Sequence, residues 1–430
     1  MLNLVILILQ MAVILGLCRL MGDVFVKIRQ PRVNGEMFAG ILLGPSLLGW
    51  VAPQLSRYLF PPVSFDFLNA LGQLGVVLFM FIAGLAIDPA EFKSQAKATI
   101  SVTLASIGVP MLLAFALAAY LQPRLGTPGV SFENFALLLG AAMTITAFPM
   151  LAKLLQERNM LSSPMGAIAV GSACVAGVFT WCVLAYIVAR IKNPDNKLTL
   201  WLTFAGIVVL IAVMFSVVKP WMQRFGDLYN HDRALSEKAM AVMMVVVVVA
   251  SVACGYLGLH PLFGAFLVGT IMPKANRFGA YVTGRLEVIV GAVLLPLYLA
   301  FSGLRTNLLT LRGTQMWLIT GLIVLVGILG KVVASALAGR AAGMNLRAAA
   351  GLGSLLNMRG LICLIVLNIG LDLKIIDSTI FSMMVVMALA NTFLTLPMFG
   401  WFCPSRSAAE KTSDTALPAQ FDSPTYVPAD

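Results

Sequence analysis

The sequence predicts an all-α, polytopic membrane protein of thirteen helices, and three observations predict it. Hydrophobic residues make up 60% of the chain and charged residues only 11%, with a mean hydropathy of +0.94; a soluble domain carries about twice that share of charge. Apolar runs of about 18–25 residues, the length that crosses a bilayer core, follow one another with short polar breaks. Lysines and arginines gather in alternate breaks, as the positive-inside rule requires.

The runs place helices at 3–20, 34–52, 67–87, 98–121, 134–155, 164–189, 199–218, 237–256, 259–273, 284–303, 315–339, 346–370 and 376–402. The first begins at Leu2 without a basic leader or a small-residue cleavage site, so it reads as a retained helix. The second opens with GEMFAGILLGPSLLG (35–49), where Gly40 and Gly44 suit close helix packing and Glu36 is an acid just inside the span. The ninth is short, and if Gly255–Pro261 is only a kink the count is twelve. With the N-terminus outside, Arg19, Lys27, Arg29, Arg32, Lys93, Lys153 and Arg340 fall in one set of loops and Arg57, Arg124, Arg190 and Arg305 in the other. Over the whole chain the bias is better than two to one, which puts the C-terminus in the cytoplasm of a bacterial inner membrane. The expected organisation is a transmembrane domain over 1–402 and a short disordered cytoplasmic tail over 403–430, polar and proline-bearing.

Composition also narrows function. The net charge of +11 is distributed through loops, so it reports topology and no nucleic acid is implied. Cys18, Cys174, Cys182, Cys254, Cys363 and Cys403 lack any CxxC pairing and read as buried free thiols. His231 and His260 have no metal-ligand spacing, so neither a metal nor a cofactor is expected. A soluble enzyme is excluded, and no nucleophile–base constellation suggests a membrane enzyme.

Two basic residues, Lys331 and Arg359, fall inside spans. A central Lys or Arg costs about 2.5–3.5 kcal/mol on insertion scales, so it faces a cavity or a partner. The fifth span contains TITAFPM, with Thr144, Thr146 and Pro149; the twelfth contains SLLNMRGL, with Asn357, Arg359 and Gly360. Proline removes a donor and frees carbonyls, and irregular backbone survives in lipid only where it lines protein or a wet cavity. Each interruption is the fifth member of a six-helix set, spans 1–6 and 8–13. Matched interruptions in two halves point to a midplane site in an inverted-repeat transporter. The expected site is therefore Thr144, Thr146, Lys331, Asn357 and Arg359, with hydroxyls and freed carbonyls coordinating a solute, and Glu36 a candidate for a proton path.

GEMFAGILLGPSLLGWVAP, LGQLGVVLFMFIAGLAID (71–88), TAFPMLAKLLQERNML (146–161), FSGLRTNL (301–308), GKVVASALAGRAAGM (330–344) and GSLLNMRGLICLIVLNIGL (353–371) resemble, in order, the second cation:proton antiporter family. That group includes the Kef-type carriers and the plant and fungal cation/H+ exchangers. The resemblance implies two crossed broken helices, interleaved dimerisation and core subdomains, an elevator-like movement, a homodimer, and exchange of a monovalent cation, Na+ or K+, for H+. It also implies an acidic pair on the sixth helix, with a lysine on the eleventh that Lys331 matches. The acidic pair aligns here with Ala176 and Gly177, which are sites by location only. A neutral pair cannot hold a cation or proton by charge. The alternatives are a carrier for an anion or organic solute on the same fold, or a transport-deficient sensor or scaffold.

Overall fold

The computed structural model describes residues 4–86, 95–158, 160–161, 163–192, 205–206, 208–232, 235–257, 260–273 and 278–403, and every structural statement here concerns those residues. They form α1 (Leu4–Lys27), α2 (Arg32–Leu43), α3 (Pro62–Leu85), α4 (Ala96–Leu125), α5 (Phe132–Thr144), α6 (Phe148–Glu157) and α7 (Pro164–Lys192). There follow α8 (Val208–Gly226), α9 (Glu237–Tyr256), α10 (Pro261–Ile271), α11 (278–304), α12 (Thr314–Ala341), α13 (Leu346–Leu356), α14 (Gly360–Asp372) and α15 (Ser378–Phe402). All the regular structure described is helical.

Ten helical segments are long and apolar enough to cross a membrane, or eleven when α13 and α14, bent by 44° at their break, count as one span. The chain is thus a multi-pass integral membrane protein. Where their residues are described, the predicted runs fall largely on helix, but the count of thirteen crossing helices is not reached: α2 and α10, of 12 and 11 residues, fall short of the ~20 that a crossing helix needs. The second predicted span, 34–52, is cut at Gly44–Pro45. Pro45 has no N–H to continue the ladder, Gly44 turns extended at φ −80° and ψ −170°, and two short helices (Leu48–Val51 and Pro53–Leu59) follow. The seventh run, 199–218, is described only in part, and from Pro404 onward the expected tail lies outside the described residues.

The helices pack in two sets. In one, α1 lies on α2, α2 on the second half of α11, and α10 is held between α3 and α9. In the other, α4 packs on α5, α7 and α12, while α12, α13 and α15 pack together and α14 lies on α15 and α5. Gly40 shows why the second span is glycine-rich: a Cβ there would run into the backbone of Ala300, and one on Gly303 would meet Gly40 in return. Small residues permit this approach, and substitution would push the helices apart. The thiols are free, but not all are buried: Cys18, Cys254 and Cys363 are, Cys174 and Cys403 are half-buried, and Cys182 is exposed on α7.

Candidate functional site

The two breaks cross and exchange hydrogen bonds. Ala147 N donates to Met358 O at 2.8 Å and Thr146 Oγ1 donates to Leu356 O at 2.8 Å. Gly360 begins α14 at φ +55°, and a Cβ there would lie 2.9 Å from Ala147 Cβ and 3.0 Å from Met150 Cε. Both the left-handed backbone and the space require glycine at this point. From α15, Thr392 Oγ1 accepts from Arg359 N and Gly360 N, each at 3.3 Å, so α14 starts capped.

The carbonyls at the end of α5 lose their usual donors for identifiable reasons. In an unbroken helix Ile145 O would accept from residue 149, but that residue is proline. Met143 O would accept from Ala147 N, which turns to Met358 instead, and Thr144 O from Phe148 N, which bonds to Thr146 O. Two cationic side chains take these acceptors. The Arg359 guanidinium donates through one nitrogen to Ala142 O (3.2 Å), Met143 O and Ile145 O (3.3 Å), and through the other to Gly327 O on α12 at 3.0 Å. Lys331 Nζ donates to Thr144 O and, at 3.2 Å, to Ser106 O on α4. Ser106 O is available because residue 110, four places on, is Pro110.

Lys331 and Arg359 are both fully buried. Among the described residues no carboxylate pairs with either. Their counter-charge is backbone: six carbonyls, four of them at the end of α5, and the negative end of the α5 dipole, equivalent to roughly −0.5 of a charge. Asn357 Nδ2 donates to Asn391 O at 3.2 Å, while Asn357 Oδ1, Asn391 Oδ1 and Arg359 Nε are buried without a protein partner. In native structures such groups are few and call for an explanation.

The structure therefore brings together five of the expected residues: Thr144, Thr146, Lys331, Asn357 and Arg359. Thr144 takes part through its carbonyl, its hydroxyl being turned back to Ala141 O at 3.1 Å. Ala176 and Gly177 lie on α7. Ala176 is buried and its carbonyl accepts from Thr180 Oγ1 at 2.9 Å. A Cβ on Gly177 would meet nothing within 4 Å, so this position borders open space. Glu36 is buried in α2 against α1, where its Cγ lies 3.7 Å from where a Gly22 Cβ would sit, and it belongs to the other helix set. Residue reading missed Ser106 and Gly327, which act through carbonyls, and Thr392, which caps α14. Pro110 was the signal for Ser106: it interrupts a long apolar run as Pro149 does.

Residues 11–402 match the sodium/hydrogen exchanger transmembrane family. The chain is 35% identical over 387 residues to the Na(+)/H(+) antiporter NhaS4 of Synechocystis sp., covering 90% of this chain and 94% of that one. It is 36% identical to Cation/H(+) antiporter 17 of Arabidopsis thaliana and 28% identical to K(+)/H(+) antiporter 1 of Saccharomyces cerevisiae. It spans about half the length of those two, 48% in each case. In three dimensions it is similar to the sodium proton antiporter MjNhaP1 of Methanocaldococcus jannaschii, with a TM-score of 0.64 at 14% identity over 92% of this chain and 96% of that one. At that identity the likeness speaks for the fold.

Proposed function

Since this chain is a member of the sodium/hydrogen exchanger family, we propose that it exchanges a monovalent cation, Na+ or K+, for a proton, and that Lys331 carries the proton in place of the absent acidic pair. The observation that carries the reading is that the Lys331 ammonium sits on Thr144 O and Ser106 O, carbonyls of the kind a monovalent cation binds. Protonated Lys331 and a bound cation compete for the same two oxygens. When Nζ gives up its proton, the neutral amine no longer holds those oxygens by charge and the cation takes them. When the cation leaves, Nζ is reprotonated and returns. One H+ moves for each cation, so the exchange is electroneutral. Arg359 cannot take part in this step, since a guanidinium keeps its proton. It neutralises the rest of the α5 terminus and fixes the crossing. Thr146, Asn357 and the unpartnered Asn391 Oδ1 line the same place and offer further oxygen ligands.

The relatives named antiporters support the exchange, and the packing of the helices into two sets supports a core that moves against a dimerising scaffold. A homodimer, a plasma-membrane location and a cytoplasmic C-terminus belong to this reading, the last resting on the lysine and arginine bias. Ala176 and Gly177 have no chemical part in it. A second reading, an anion or organic-acid carrier, is favoured by one observation: two full positive charges with only dipoles against them.

The test is proton flux in proteoliposomes with an imposed pH gradient and an internal pH dye. Addition of Na+ or K+ is expected to collapse the gradient at a rate that saturates with cation. A wild-type response no larger than that of empty liposomes would overturn antiport. Lys331→Arg separates the two readings. It keeps the charge and loses the exchangeable proton, so cation exchange is lost, whereas an anion site is retained.

A further inference from the structure

Far from the crossing, at the other end of α14, the two helix sets are joined by a polar cluster that the exchange step does not use. Arg305 ends α11, in the first set. Its guanidinium donates to Asn368 Oδ1 at 3.0 Å and to Asp372 Oδ1 at 2.6 Å, both on α14 in the second set. Asn368 is 2% exposed. Its amide nitrogen returns hydrogen bonds to α11, at 2.8 Å to Ser302 Oγ and 3.3 Å to Tyr298 OH, and is also bonded to Leu364 O. Nearby, Asn307 N donates to Ser382 Oγ of α15 at 2.9 Å. The side chains therefore interlock in both directions across the boundary between the sets, and the ion pair is charge-assisted. Toward the opposite face Gln30 Nε2 donates to Phe393 O at 3.2 Å, and a cavity of about 10 Å3, room for about one water, lies between Asn34 of α2 and Gly360, Ala388 and Thr392.

We propose that Arg305, Asn368 and Asp372 are the positioning residues that close the crossing to the Arg305 face and must separate once in each transport cycle. α14 is the element that carries this to the site. Its first residue, Gly360, is part of the crossing, and its last turn is the part that Arg305 holds. A rigid helix of 13 residues, ~20 Å long, moves as one body, so releasing its far end lets the crossing shift away from α11. The inference rests on the core-against-scaffold movement of the proposed exchange, but not on the identity of the solute.

The test uses full-length protein with the native cysteines replaced and Ala388→Cys introduced at the boundary, a small change at a residue lining the cavity. A membrane-impermeant maleimide is applied from one face at a time in oriented vesicles. Arg305→Gln is expected to raise labelling from the Arg305 face by roughly tenfold, the shift that loss of one decade of bias gives a two-state equilibrium, and to lower it from the opposite face. The swap Arg305→Asp with Asp372→Arg is expected to return both rates toward those of the parent. Unchanged labelling in a monodisperse Arg305→Gln protein would overturn the gate, and so would an equal rise from both faces, which is mere loosening. Labelling needs no transported cation, so this result stands apart from the flux test: a gate can be found without antiport, and antiport without the gate.

Discussion

Lys331 and Arg359 meet the same helix end with different chemistry. An ammonium can lose its proton inside a protein, and a guanidinium does not. In the proposed exchange Lys331 therefore carries the proton, and Arg359 holds the crossing together. Arg359→Lys is expected to lose thermal stability as well as flux, because one ammonium cannot reach Ala142, Met143, Ile145 and Gly327 together; thermal unfolding in detergent measures it. Two glycines make the complementary prediction. Gly360→Ala puts a side chain where φ is +55° and Ala147 is 2.9 Å away, costing at least about 1–2 kcal/mol from the left-handed backbone alone. Gly177→Ala, with nothing within 4 Å, is expected to be neutral or to gain about 0.5–1 kcal/mol, as Ala does over Gly in a helix. The same unfolding assay separates them. At this scale Lys331 and Arg359 were legible, because a lysine or arginine inside an apolar run stands out, and the freed carbonyls of the first break were expected from its proline; the Thr144 hydroxyl, expected to coordinate, is turned back to Ala141 O. Ser106 O and Gly327 O were not legible, since they are atoms that every residue has.

The broken helices carry the candidate site; Pro149 lies at the first break, while the second has no proline and turns at Gly360. Pro149 frees Ile145 O for Arg359, and Pro110 frees Ser106 O for Lys331. Pro110→Ala would supply the missing N–H to Ser106 O and set it in competition with Lys331. The expected result is a more regular α4 and a several-fold loss of cation-driven proton flux, while the fold is kept; unchanged flux would remove Ser106 O from the site. Apolar runs announced the elements well, since hydrophobic length is what the bilayer selects. The interruption of span 34–52 at Gly44–Pro45 was missed, although the dipeptide was in view, because a run of apolar residues on both sides concealed a backbone break. The two breaks were foreseen from matched interruptions and their crossing from the family resemblance, but not the exchange between Ala147 N and Met358 O that locks it. Hydrogen bonds between residues some 210 apart leave no local pattern.

At the scale of the molecule, the helices pack in two sets, with the crossing in one of them, and the proposed exchange moves one set along the boundary with the other. Asn368 was not singled out in the sequence, because its partners on α11 lie 66 and 70 positions away. If one cation replaces one proton, a membrane potential set by K+ and valinomycin should leave the Na+-driven flux unchanged; a rate that follows the potential would require a second charge to move. The direct test of the central claim is the number of protons released into weakly buffered detergent solution when Na+ or K+ binds, measured for wild type and Lys331→Arg. About one proton per bound cation is expected from the wild type and none from the variant. Equal release from both proteins would contradict it and place the exchanging proton elsewhere.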